Sequence, residues 1–205
     1  MLQIKSKYKI AKRLGAGIFE QTQTQKFALS EARSKATKTP RGRRGGSDYG
    51  RQLLEKQRLR FTYGLSERQL SNYAEEAFSQ PNPPAALHKA LEMRADNAAY
   101  RAGIATTRRA ARQIVSHGHI TVNGKRITIP SYKVHKGDVI AVREGSRTSS
   151  LFTRLTDPEE ASKGTKSAWI VLDAPLMKAE VVEEPTYTPA ESGIDYSTVF
   201  EFYSR

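Results

Sequence analysis

The 205-residue chain has no cysteine, which excludes a disulfide scaffold, a thiolate metal site and thiol catalysis. It has a single tryptophan, and aromatic residues make up only 8% of it. Hydrophobic residues reach 38%, and no apolar run approaches the roughly 20 residues of a membrane-spanning helix. The start carries Lys5, Lys7, Lys9, Lys12 and Arg13 with no apolar stretch behind them, unlike a secretory signal. A cytosolic protein of one or two domains is therefore expected. Acidic residues are also scarce: 21 Asp and Glu stand against 34 Lys and Arg, a formal net charge of +13.

Solubility alone needs a mixed-sign surface with a net charge of about 2–8 for a small domain. The excess here is also unevenly placed. Residues 1–50 hold 12 basic and 3 acidic residues, and residues 101–150 hold 10 and 2. Between them, residues 51–100 are nearly neutral, with 7 basic and 6 acidic, and residues 151–205 reverse the sign with 5 and 10. Two basic blocks of this kind fit two surfaces on one polyanion, and nucleic acid is the partner they favour.

Residues 1–46 are sparse in apolar side chains and end in Thr39-Pro40-Arg41-Gly42-Arg43-Arg44-Gly45-Gly46, which reads as an extended basic arm that orders on RNA. Ser47 is an N-cap for a helix over 48–63, with Leu54 and Phe61 one heptad apart, Arg51 placed to pair with Glu55, and Lys56 and Arg60 left for phosphate. Gly64 ends that helix, and Ser66-Glu67-Arg68-Gln69 has capping-box spacing. Leu70, Tyr73, Ala74, Ala77 and Phe78 then mark an amphipathic helix. Pro81-Asn82-Pro83-Pro84 marks a loop, and a third helix is expected over about 85–93. This helical domain has a thin core. The apolar run Val199-Phe200-Glu201-Phe202-Tyr203 is expected to dock on it near Tyr49 and Leu53.

From Arg94 the pattern changes. A short helix over 96–101 ends near Gly103, Thr106 or Thr107 caps the next, and Arg108 to His117 places Ala110, Ala111, Ile114 and Val115 on one arc. The opposite arc is a polar plate of Arg108, Arg109, Arg112, Gln113 and Ser116. After Gly118 the period becomes two: Ile120-Thr121-Val122, the type I′ turn pair Asn123-Gly124, and Lys125 to Ile129 form a hairpin. Lys136-Gly137-Asp138 turns the chain into the strand 139–142. Residues 151–161 read as a short helix, and 169–172 and 180–182 as further strands.

The unit helix, turn, basic helix and Asn-Gly hairpin, followed by Ser131-Tyr132-Lys133-Val134-His135-Lys136-Gly137-Asp138 and a strand, resembles the S-four RNA-binding module. The match rests on Arg94-x-Asp96-Asn97-x-x-Tyr100-Arg101-x-Gly103, on Thr107-Arg108-x-x-Ala111-Arg112-Gln113-x-Val115-Ser116-His117, and on Val122-Asn123-Gly124. Upstream, Ser47-Asp48-Tyr49-Gly50 with Leu53, Glu55-Lys56-Gln57 and Arg60, and downstream Glu201-Phe202-Tyr203-Ser204-Arg205, are similar to the small-subunit ribosomal protein S-four family.

The resemblance implies an α+β chain. It has a basic extended N-terminal arm (1–46) and a small all-helical domain (47–93, completed by 194–205). An S-four-type α/β domain with an antiparallel sheet follows (94–193, with the module at about 94–157). It implies a structural, non-catalytic constituent of the small ribosomal subunit that binds a multi-helix junction in the 5′ region of the ribosomal RNA and nucleates assembly. It also implies contact with ribosomal protein S-five, where decoding accuracy is tuned, and a position beside the messenger entry channel of a bacterial-type cytoplasmic ribosome, an organellar ribosome being the alternative.

The RNA-binding set expected from this reading is Lys7, Lys9, Lys12 and Arg13 in the arm, with Arg41, Arg43 and Arg44 placed like the family's messenger-channel residues. Arg51, Lys56, Arg58 and Arg60 follow in the helical domain. In the module the set is Arg94, Arg101, Thr107, Arg108, Arg109, Arg112, Gln113, Ser116 and His117, then Lys125, Arg126, Ser131, Tyr132 and Lys133. Many relatives carry a cysteine zinc knuckle in the arm, which this chain lacks. His88, His117, His119 and His135 lie at spacings that form no ligand set, so neither metal nor cofactor is expected.

Two other classes fit less well. A pseudouridine synthase carries such a module, but Met93-Arg94-Ala95-Asp96 is only faintly similar to its catalytic motif, Asp96 is a natural cap, and no domain remains to hold a flipped base. A DNA-binding helix-turn-helix would use 107–117 for recognition, but the immediate hairpin and the lack of a dimer seam argue against it. A stand-alone translational regulator would need neither the arm nor the docking C-terminus.

Overall fold

The fold was taken from a computed structural model, which describes residues 4, 6–36, 47–156, 167–189 and 193–204. Arg41, Arg43 and Arg44 lie outside the described residues. The chain divides into two compact units, Met1–Leu87 with Thr188–Arg205, and His88–Tyr187.

In the first unit, residues 6–36 are helical rather than extended, which corrects the expectation of an unstructured arm. Helix α1 (Lys7–Leu14) and helix α2 (Gln25–Ala36) are joined by 3-10 turns at Ala16–Ile18 and Glu20–Thr22. Ala11, Leu14, Ile18, Phe19 and Phe27 form a small buried cluster, and Leu54 and Phe61 of helix α3 (Asp48–Tyr63) pack against it. The arm could not close this cluster alone; its cover comes from a helix far downstream. Arg58 of α3 adds a hydrogen bond to the Leu14 carbonyl at 2.9 Å, satisfying an end group of α1.

Ser47 caps α3 by accepting from the Gly50 amide at 3.2 Å, and Gly64 closes it in the left-handed region at φ 63°. Ser66 and Gln69 complete a capping box at the start of helix α4 (Glu67–Phe78), whose Leu70, Ala74 and Ala77 are buried. Helix α5 (Pro83–Glu92) starts two residues earlier than expected. Asn82 accepts from the Ala85 amide at 3.3 Å, and Pro83 occupies the first turn, where its missing N–H costs nothing. The C-terminal residues form a further helix over Tyr196–Tyr203, packed on α3. Val199 and Phe200 are buried there, the Phe200 ring meets Phe78 edge-on at 4.7 Å, and the Phe202 ring lies 5.7 Å from Tyr49. The Tyr63 and Tyr196 hydroxyls bond at 3.1 Å in the same seam.

The second unit joins helices α6 (Ala95–Arg101) and α7 (Arg108–Ser116) to a five-stranded antiparallel sheet of order β2-β1-β3-β5-β4. The strands are β1 (Ile120–Val122), β2 (Lys125–Ile127), β3 (Val139–Val142), β4 (Ile170–Asp173) and β5 (Lys178–Val181). Asn123 and Gly124 adopt φ of 50° and 79°, as a type I′ turn demands, and fix the register at Val122 opposite Lys125. The inward row Ile120, Val122, Ile127, Ile140, Val142, Ala179 and Val181 packs on Ala98, Ala99, Ala111, Ile114 and Val115. Each large aliphatic side chain in this core contributes about 1.5–3 kcal/mol by burial. Phe152 and Leu155, the latter on helix α8 (Thr153–Thr156), are buried in the same core. The terminal helix Tyr196–Tyr203 is α9 in chain order.

Candidate nucleic-acid interface

Helix α7 is positioned at both ends. Thr107 accepts from the Ala110 amide at 3.0 Å and opens it. At its close, Arg126 donates to the Gly118 and His117 carbonyls at 3.1 and 3.2 Å, so a cation of β2 sits on the negative end of α7. Gly118 takes φ 71°, and a Cβ there would collide with the Arg126 guanidinium. With Ile114 and Val115 buried, the solvent side of α7 presents Arg109, Gln113 and Ser116, followed by His117.

The segment after the hairpin lies against the start of α6. The Ala95 amide donates to the Tyr132 carbonyl at 2.8 Å, the Asp96 amide to the Pro130 carbonyl at 3.1 Å, and the Val134 amide to the Met93 carbonyl at 2.9 Å. These bonds hold Ser131, Tyr132 and Lys133 exposed. Lys125 is exposed at the hairpin tip. A second lock joins the two turns: Asn123 donates to Asp138 at 2.8 Å and accepts from the Val139 amide at 2.9 Å. The result is a preorganised polar strip with cationic and hydroxyl donors, suited to phosphate and 2′-hydroxyl contacts.

Four arginines expected on that strip are engaged elsewhere. Arg94 makes two bonds to Asp96, at 3.1 and 3.0 Å, and its side chain is only 2% exposed. Arg101 makes two bonds to Glu92, at 2.7 and 2.8 Å. Arg108 donates to the Asn97 side chain at 2.9 Å and lies over the Tyr100 ring at 4.5 Å. Arg112 stands 3.3 Å from Asp96. The uniform plate of Arg108, Arg109, Arg112, Gln113 and Ser116 is thus split, with Arg108 and Arg112 folded toward carboxylates on neighbouring segments. Sequence periodicity gave the angle of each side chain on α7 but not the position of the acids. Glu92 and the network role of Asp96 were missed; Arg94-x-Asp96, with both side chains polar in an otherwise alanine-rich stretch, was the available signal.

In the first unit, Lys9 and Arg13 are exposed on α1, while Lys7 bonds to Gln21 at 2.6 Å and Lys12 to Ser30 at 3.0 Å. Arg51 is exposed and pairs at 3.7 Å with Asp48, not with Glu55. Glu55 instead holds Arg58. Lys56 is not free for phosphate. It is buried, bonds to Glu67 at 2.6 Å and lies 4.1 Å from the Phe202 ring centroid, so α9 accounts for its inward turn. Arg60 stands 3.8 Å from the same Glu67 and donates to the Leu65 carbonyl. Tyr203 completes the group with a bond to Glu67 at 3.1 Å; burial, with the Glu67 charge, raises its pKa.

His119 bonds through Nδ1 to the Ser146 hydroxyl at 3.0 Å, and desolvation, with His117, Arg143 and Arg126 nearby, lowers its pKa. His88 is buried beside the Tyr187 ring, and that burial lowers its pKa. Among the described residues, no group of three or more His, Cys, Asp and Glu side chains could hold a metal, and no helix is long and apolar enough to cross a membrane.

Comparison with known proteins covers both units. Residues 93–140 match the S4 domain, and residues 3–94 match the Ribosomal protein S4/S9 N-terminal domain. Among similar chains named small ribosomal subunit protein uS4, that of Roseiflexus sp. (strain RS-1) is 43% identical over 199 residues, covering 96% of each chain. That of Chloroflexus aurantiacus (strain ATCC 29366 / DSM 635 / J-10-fl) is 42% identical over 205 residues, again 96% of each. That of Thermus thermophilus is 46% identical over 161 residues, 78% of this chain and 76% of its own. With this identity sustained along nearly its whole length, the chain belongs to the small ribosomal subunit protein uS4 family.

Proposed function

We propose that the chain binds a multi-helix junction in the 5′ region of small-subunit ribosomal RNA, early enough to nucleate assembly of the subunit body. Family membership makes it a structural protein of the small ribosomal subunit, not an enzyme. The observation that carries the finer reading is the strip formed by α7, the hairpin tip and residues 131–133. Its backbone is held by hydrogen bonds within the chain, and its exposed side chains Arg109, Gln113, Lys125, Ser131 and Lys133 are donors. The Ser116 hydroxyl, which donates to the Arg112 carbonyl at 2.8 Å, can accept. A-form RNA offers little base edge to read, so a rigid donor surface that fits phosphate and 2′-hydroxyl positions is the appropriate device. Exposed Lys9, Arg13 and Arg51 in the first unit supply further phosphate contacts on the same RNA.

The same reading includes contact with ribosomal protein S-five and a contribution to decoding accuracy, a messenger-channel role for Arg41, Arg43 and Arg44, and residence in the cytoplasm. These rest on the family resemblance. The test of RNA binding is a comparison of affinities, at one salt concentration, for a junction fragment of small-subunit ribosomal RNA, a duplex DNA and an unrelated RNA hairpin. Preference for the junction is expected. Equal affinity for all three would overturn the reading.

A further inference from the structure

Two carboxylates lie at the root of the strip, and each holds guanidinium groups from more than one segment. Glu92, at the end of α5, binds Arg101 of α6 through two bonds and stands 3.9 Å from Arg108 of α7. Asp96, in the first turn of α6, binds Arg94 through two bonds and Arg112 of α7 at 3.3 Å. The two acidic side chains are 1% and 8% exposed. Swinging Arg112 outward would strip buried Asp96 of one of its two guanidinium partners, leaving Arg94 alone to offset its charge. Arg108 is further restrained by Asn97 and by the Tyr100 ring beneath it.

Sequence-independent affinity for nucleic acid grows with the number of cations that neutralise phosphates, and that number sets the salt slope. An arginine committed to a buried carboxylate does not add to it. We infer that Glu92 and Asp96 are specificity-determining positioning residues: by holding Arg108 and Arg112 against α6 they withhold both from phosphate. They thereby limit affinity for arbitrary RNA and keep the α7 face in one shape. This inference rests on the RNA-binding reading above. The arginine-rich sequence of α7 overstates its phosphate contacts, and Arg109 carries the charge that α7 presents.

The test uses the full chain as Asp96→Asn, Arg112→Gln and the double variant, titrated over a salt series with the junction fragment and with an unrelated RNA hairpin. Arg112→Gln leaves the slope on both RNAs unchanged. Asp96→Asn removes the carboxylate that holds Arg112 and steepens the hairpin slope by about 0.7–0.9, raising hairpin affinity about fivefold at 0.15 M salt when that slope is extrapolated from 1 M. The junction-over-hairpin preference shrinks accordingly, and the double variant returns to the slope of the unaltered chain. A shallower slope in Arg112→Gln would overturn the inference, because Arg112 would then already touch phosphate. So would an unchanged slope in a folded Asp96→Asn. Should Asp96→Asn fail to fold by circular dichroism, the slope of Arg112→Gln decides alone. Absence of any junction preference in the unaltered chain would defeat the RNA-junction reading instead, while the hairpin slopes would still decide whether Arg112 is withheld.

Discussion

Phe200→Ala is the sharpest probe of how α9 holds the first unit together. Phe200 is 7% exposed and meets Phe78 edge-on at 4.7 Å, while Val199 beside it is fully buried. Truncating a buried Phe costs about 3–5 kcal/mol when the cavity cannot close. Phe78 is 42% exposed, so this site lies at the rim of the core and the lower end, about 3 kcal/mol, applies. For a unit of about 100 residues, each kcal/mol moves the melting midpoint by about 4–8 °C, so a drop of roughly 12 °C or more is expected. Native-state hydrogen exchange localises the effect: amides of α3 and α9 lose protection, while those of α7 and β3, in a core that Phe200 does not enter, keep theirs. A loss below about 1 kcal/mol, or an equal loss of protection in both units, would refute the argument that α9 supplies core to α3.

Three other outcomes follow from single residues. Gly118→Ala should destabilise the second unit by about 1–3 kcal/mol in thermal denaturation, since a positive φ and the Arg126 guanidinium both oppose a Cβ. Burial lowers the His88 pKa from 6.5, so the unfolded chain takes up a proton first as pH falls. His88 therefore costs stability below about pH 6.5, progressively until the folded-state pKa is passed, and His88→Gln should flatten that part of a stability-versus-pH curve. Arg109→Ala should make the salt slope for the junction fragment shallower by about 0.7–0.9 while shifting stability by no more than about 0.5 kcal/mol, because the side chain lies on the solvent face of α7.

Local chemistry made much of the fold readable. Ser47, Gly64, the Ser66–Gln69 box, Thr107 and Asn123-Gly124 each act within a few residues of their own position, and each ends or starts an element where the sequence indicates. Contacts between distant segments were not readable in the same way. Residues 6–36 fold because Leu54 and Phe61 cover their sparse apolar side chains, a pairing that no local periodicity reveals. Lys56 turns inward because Phe202 and Glu67 meet it. Helix α7 and the hairpin, on which the strip is built, were readable from the same local signals. The division of its arginines between solvent and the buried Glu92 and Asp96 depends on a helix and a turn that precede it.

The central claim is that this surface reads the shape of one RNA junction. Hydroxyl-radical footprinting of small-subunit ribosomal RNA with the full chain tests it most directly. The account predicts protection on several helices that converge at a single junction in the 5′ region, weakened on part of that footprint by Arg109→Ala and Lys133→Ala. Protection scattered along the RNA, or a compact footprint that both substitutions leave unchanged, would contradict it.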